Sequence, residues 1–392
     1  MTPPAGVQTP PVSTAVMPRL EYAGIVILCL FVTALQLSVA ASAWLLTAAL
    51  CVWIGVLTSR RERVDAPPFF LPLVAYALAT LVSVITSLDP LTSLVDAKEI
   101  LLFLVVPIVY RLGRGSHASI LATVIISVGA GTAAYGLVQY GILQFDTLGQ
   151  RPQGSMGHYM TFSGLLMLVL CLAGARVLWR GADRVWAGLV IPALVAALAV
   201  TLTRSAWVGA GIGVGLLLVL KNRKLLVTVP VIAGLLIALA PASVAERVYS
   251  TFDLQDPTNR DRFAMARAGA GMIRDHPFTG VGPDMVQVTY PAYRDVGGVN
   301  AVNPHLHNVP LQIAAERGLP ALALWLWFVI ATMRELVARF RDDESRGLAA
   351  AGLAAMAAMI AAGMFEYNFG DSEFLMLFLV LVTLPSAAVR HA

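Results

Sequence analysis

Apolar stretches, each close to the length of a bilayer-crossing helix, follow one another along almost the whole chain. A helix needs about 20 apolar residues to cross, within a range of about 17–25. Twelve stretches meet or approach that length, at about 20–38, 40–58, 69–87, 92–110, 118–142, 159–179, 186–203, 206–220, 225–241, 309–333, 348–366 and 373–389. The pair 186–203 and 206–220 is short, and only Arg204 and Ser205 separate it. Composition removes the soluble alternatives. Of 392 residues, 58 % are hydrophobic and 13 % charged, with mean hydropathy +0.77. An ordinary soluble domain is about half apolar and about a quarter charged. No soluble surface of this size hides so much apolar area, which excludes a soluble enzyme, a disordered chain and a nucleic-acid binder. The expected fold is all-α and polytopic. It has about 12 transmembrane helices, with one large outer loop between the ninth and tenth.

Basic residues orient these spans. With the N-terminus in the cytoplasm, the cytoplasmic segments hold Arg19; Arg60, Arg61 and Arg63; Arg111 and Arg114; Arg176, Arg180 and Arg184; Lys221, Arg223 and Lys224; Arg334, Arg339, Arg341 and Arg346; and Arg390, together 17 of the 27 Lys and Arg. Short outer connections hold only Lys98, Arg151 and Arg204, and the rest lie in or just after the segment from about Pro241 to Asn308. Short loops decide orientation and long translocated ones count little, so both termini are expected in the cytoplasm. The expected organisation is a cytoplasmic tail over 1–19, helices one to nine over 20–241, an outer loop over 242–308, and helices ten to twelve over 309–392. The net charge of +4 then reports topology. Cys29, Cys51 and Cys171 all sit in apolar stretches, which argues against a disulfide framework or a thiolate metal site. The Pro/Thr-rich start reads as a tail, not a cleaved signal peptide.

Chemistry concentrates on the outer side. Arg204 interrupts the run TLTRSAWVG at the outer edge of a span. A charge there costs a few kcal/mol or more unless it is paired or faces water. Snorkelling to the interface is its plain use. Its flanking hydroxyls and a helix starting near Ala206 also suit an anion. Arg260, Arg262, Arg267 and Arg274 lie on or near a helix expected around 262–274, with Arg260, Arg267 and Arg274 on one face. Glu246, Asp253, Asp256, Asp261, Asp275, Asp284 and Asp295 share the segment. These arginines therefore read either as a salt-bridged surface or as guanidinium forks for phosphate. His305 and His307 of HLHN can move a proton near neutral pH, or serve only as hydrogen-bonding structure. No carboxylate or third imidazole lies beside them in sequence, so no metal is expected. His158 and Tyr159 read as a cavity lining, and Glu366, Asp371 and Glu373 as an interfacial collar. The spacing of Asp253 with Asp256, or Asp89 with Asp96, does not by itself make a cation site. The stretches from Gly209 to Gly215 and from Gly352 to Ala358 suit close helix packing.

Four pieces, RPQGSMGHYMTFSG (151–164), TLTRSAWVG (201–209), NRDRFAMARAGAGMIRDHPFTGVGPDMV (259–286) and PHLHNVPLQIAAERGLPAL (304–322), occur in this order. The set resembles the O-antigen ligase and polymerase superfamily of bacterial envelope glycosyltransferases, over roughly 150–325. The chain departs from that pattern at Ala321, where many members carry glycine. The resemblance implies an inverting transferase without cofactor or metal, working at the periplasmic face of the inner membrane on a glycan carried by undecaprenyl diphosphate. It carries the diphosphate-binding role to Arg204 and to Arg262 or Arg267, without separating the last two. It gives His307 the role of deprotonating or orienting the acceptor hydroxyl, with His305 assisting. A single large loop, about 400 residues and an end just after the last span favour an O-antigen ligase, with the lipid A–core oligosaccharide as acceptor. An O-antigen polymerase and a protein O-oligosaccharyltransferase are the alternatives within the superfamily. A transporter of the bicarbonate-uptake type is the alternative outside it. The partners implied are the lipid-linked glycan, lipid A–core and membrane lipid, with no nucleic acid.

Overall fold

The computed structural model of the protein describes residues 16–253, 255–294 and 298–389. Residues 1–15 of the expected tail, Asp295 and Arg390 lie outside the described residues. Among the described residues the regular structure is helical throughout, with no strand. The α-helices are α1 (Val16–Ala34), α2 (Val39–Arg60), α3 (Phe70–Ile85), α4 (Pro90–Ala97), α5 (Val105–Leu112), α6 (Ser116–Gly141), α7 (Tyr159–Leu178), α8 (Arg184–Val200), α9 (Arg204–Asn222), α10 (Thr228–Ala238), α11 (Ala242–Tyr249), α12 (Pro257–Asp275), α13 (Val286–Tyr293), α14 (Val309–Phe340), α15 (Arg346–Gly363) and α16 (Ser372–Ala388).

Five of these, α2, α6, α7, α14 and α15, are long and apolar enough to cross a membrane, and α3, α8 and α16 are shorter apolar helices. The chain is therefore a multi-pass membrane protein. Two of the expected spans are not single helices. The fourth is divided into α4, a 3-10 segment over Lys98–Leu104, and α5. Pro107 sits in the first turn of α5, where its missing N–H is tolerated, and its ring opposes an α-helix running back through residue 103. The ninth is a 3-10 turn followed by the 11 residues of α10. At about 1.5 Å per residue α10 alone falls well short of a roughly 30 Å hydrocarbon core.

The bundle is built around α7, α15 and α16, whose residues are buried on nearly all sides. Outer helices such as α2 turn apolar side chains outward, as lipid contact requires. Small residues bring α9 close to α15, as the glycine-rich stretches led one to expect. A methyl on Gly213 would lie 2.6 Å from Cys171 Sγ and 3.0 Å from the Ala354 carbonyl oxygen. The segment between α10 and α14 forms a small core of its own. Met265, Met272, Val286 and Tyr290 pack there with Leu306 and with Ala315 of α14. That core fixes the histidine segment to the start of α14.

Candidate active site

The local folding of PHLHNVPLQ follows from its residues. Asn308 caps α14, its side chain accepting the Leu311 N–H at 2.9 Å, and Pro310 occupies the first turn. His307 directly precedes that cap with φ 48°, a left-handed conformation that costs a non-glycine residue about 1–3 kcal/mol. Gln312 is fully buried and reaches back, its Oε1 accepting the Leu306 N–H at 2.7 Å. Its Nε2 donates to Glu316 at 2.8 Å. Arg317 continues the path, donating to Glu316 at 2.6 Å and to the Tyr367 hydroxyl at 3.2 Å. The Tyr367 ring stands 5.5 Å from that of His305. The two histidines are therefore set in a closed ring of contacts. Upstream, the buried Asp261 carboxylate accepts the N–H groups of Val299 (3.0 Å) and Asn300 (3.1 Å) and the amide of Asn300 (2.6 Å), fixing the approach to the same segment.

Glu366, in the link between α15 and α16, faces His307, with Nδ1 3.1 Å from both carboxylate oxygens. Burial presses His307 down, but the hydrogen bond and charge of Glu366 outweigh it, and the imidazole stays protonated to a higher pH than usual. Burial pushes Glu366 up, yet His307, the Tyr367 amide and Arg262 hold it below the ordinary carboxylate range. Burial, then the charge of His307, holds His305 below its ordinary value. The two histidines thus differ: His305 stays neutral where His307 carries a proton.

Beside this pair lies a group of guanidiniums. Arg204, the first residue of α9, donates to the Ser250 carbonyl at 3.0 Å, to Asn259 at 3.3 Å and to Asp256 at 3.4 Å. Arg247 approaches the same Asp256 at 3.7 Å. Arg262 donates to the Phe365 carbonyl at 3.0 Å, and its buried Nε has no partner. Burial, then Arg204 and Arg151, pushes Arg247 down to about 10. Burial also lowers Arg262, although Glu366 opposes the shift. Groups that repel one another and are only partly compensated by Asp256 form a site with surplus positive charge. An anion relieves that repulsion.

Of the residues singled out in the sequence, the structure brings together Arg204, Arg262, His305 and His307. Arg267 is exposed on α12. Five residues beyond Arg262, it faces a different side of the helix. Asp256 pairs with arginines and Asp89 caps α4, which accounts for both carboxylates without a cation. Among the described residues no group of three His, Cys, Asp or Glu could hold a metal ion. The sequence reading missed Arg247 and the role of Glu366. Glu366 is 59 residues from His307, so no local motif joins them. Beside His305 and Glu366 lies a cavity of about 160 Å³. Its walls come from the first turns of α7 and α9, the end of α15, and the Glu366–Asp371 link.

The fold and site define a multi-pass helical membrane protein that gathers, at one end of its bundle, an arginine cluster and a histidine–carboxylate pair. The family model described as O-antigen ligase matches residues 189–326, from α8 through Arg204, Arg247, Arg262 and both histidines into α14. Over that stretch the chain is similar to the O-antigen ligase family. Among curated proteins, none matches the chain.

Proposed function

We propose that the protein is an O-antigen ligase. It transfers an O-antigen glycan from undecaprenyl diphosphate to lipid A–core at the periplasmic face of the inner membrane, with inversion and without metal. The observation that carries this reading is the juxtaposition of the arginine cluster and His307, which lie inside the matched segment, with Glu366 from the link between α15 and α16. In this reading Arg204 and Arg262 hold the diphosphate, with Arg247 beside them, and Arg267 stands outside. Charge grows on the phosphate oxygens as the glycosyl bond breaks, and preorganised cations aimed at that charge are often the largest catalytic contribution. His307 takes the proton of the acceptor hydroxyl as it attacks the anomeric carbon from the side opposite the diphosphate. Glu366 orients the imidazole and stabilises the imidazolium, and His305 assists as a neutral hydrogen-bonding partner. The chain is read as twelve spans with both termini cytoplasmic and the loop over 242–308 outside.

The test uses purified protein in detergent with lipid-linked O-antigen and core–lipid A, with and without EDTA, followed on a gel. A glycan ladder on lipid A that survives EDTA and disappears in His307→Ala is the expected result. Growth of the lipid-linked glycan without transfer would replace the ligase reading with a polymerase. No transfer to any acceptor would reopen the transporter reading.

A further inference from the structure

The cavity beside His305 is lined in a way that the transfer chemistry above does not use. Ser205, only 6 % exposed, lines this cavity, and its hydroxyl makes no hydrogen bond among the described residues. The Ser205 hydroxyl is therefore open to the cavity and free to take a hydrogen-bonding partner there. Helices α7 and α9 both begin at this cavity, and neither has a side-chain cap on its first amides. Facing these donors are the carboxylates of Glu366 and Asp371, the latter accepting from Thr161 and from the Phe374 N–H. Met167 and Phe374 complete the lining with apolar surface.

A ligand matching this lining has donors and acceptors around its rim and apolar faces, which is the character of a pyranose ring. At roughly 30 Å³ per water, the space corresponds to about five waters, enough for one ring. Its position is also specific. Ser205 directly follows Arg204, while Glu366 and His305 belong to the histidine side. We propose that this cavity is the subsite for the single donor sugar joined to the diphosphate, held by Ser205 and Asp371. The proposal rests on the donor reading above.

Equilibrium binding of radiolabelled lipids to the full-length protein in detergent tests it. The probes are bare undecaprenyl diphosphate and the same lipid carrying one hexose or one N-acetylhexosamine. One glycosylated lipid is expected to bind about tenfold or more tighter than the bare lipid. Ser205→Ala and Asp371→Asn should remove most of that gain and leave bare-lipid affinity within about twofold. Asparagine still caps α16, so the second variant keeps the helix start. A gain unchanged in both variants, or no gain while bare lipid still binds, would overturn the subsite alone. Loss of core–lipid A binding in the variants, with donor binding intact, would reassign the cavity to the acceptor and overturn it equally. If bare lipid does not bind and Arg262→Ala changes nothing, the donor reading itself fails.

Discussion

His307 and Glu366 share a proton equilibrium that activity should report. A base must be deprotonated to act, and Glu366 keeps His307 protonated to a higher pH than usual. Activity should therefore rise with pH through an acid limb lying above about 6.5, the ordinary histidine value. Glu366→Gln removes the stabilising charge and leaves burial, which favours the neutral imidazole. The limb should move to lower pH while kcat on the plateau falls, because the imidazolium formed in the reaction loses its counter-charge. A kcat–pH profile checks this, and an unmoved limb would show that another group titrates. The arginines divide just as sharply. Arg262→Ala should lower kcat/KM about 10²–10³-fold, the usual cost of losing one preorganised donor. Arg267→Ala should stay within about threefold, because it is exposed on another face of α12. Equal losses would place both in the site. At this scale Arg204 was legible in the sequence because a charge interrupting an apolar run stands out locally. Glu366 was not, because its meaning comes only from what α15 and α16 bring to His307.

Among the elements, α14 does the most to fix the site, through a break and a reach-back. Gly318 (φ 82°, ψ 168°) ends the short first part of the helix, and a methyl there would collide with the backbone of Phe278 and Thr279. That break keeps Glu316 and Arg317 beneath the histidines instead of continuing a straight span. Gln312 then ties the first part to the Leu306 N–H. Gln312→Leu should leave that N–H buried and unpaired, a cost of about 1–3 kcal/mol borne by the histidine segment. The expected result is a fall in kcat of about tenfold or more, with donor affinity unchanged because the arginines sit on α9, α11 and α12. Steady-state kinetics with donor binding measured in parallel checks the split. A matching loss of donor affinity would mean general unfolding of the loop. Hydropathy located each apolar helix because length and apolarity are properties of a local window. It missed the break at Gly318 and the 3-10 segment at Lys98–Leu104, because leucine, valine and alanine on both sides look alike to a hydropathy average. The dihedral at Gly318 is set by contact with the turn at Phe278, 40 residues away in the chain.

On the scale of the whole molecule, the two ends of the bundle differ in charge as well as in content. The site end collects the starts of α7, α9 and α16, the end of α15, and the histidine segment. At the other end Glu21 meets Arg60, Arg111 and Arg114, while Arg111 also pairs with Glu62, joining α1, α2 and α5. The turn between α14 and α15 is basic too, with Arg339, Arg341 and Arg346 around Asp343. If short basic loops stay in the cytoplasm, the site end must face the periplasm. Single cysteines placed in a background lacking Cys29, Cys51 and Cys171 test the orientation directly. A cysteine at Asn300, in the turn before the histidines, should react with a membrane-impermeant thiol reagent in intact spheroplasts. A cysteine at Asp343, exposed in the α14–α15 turn, should react only after permeabilisation. The reverse pattern would put the histidines in the cytoplasm, away from a lipid-linked glycan displayed on the outer leaflet, and would remove the ligase reading without altering any distance within the site.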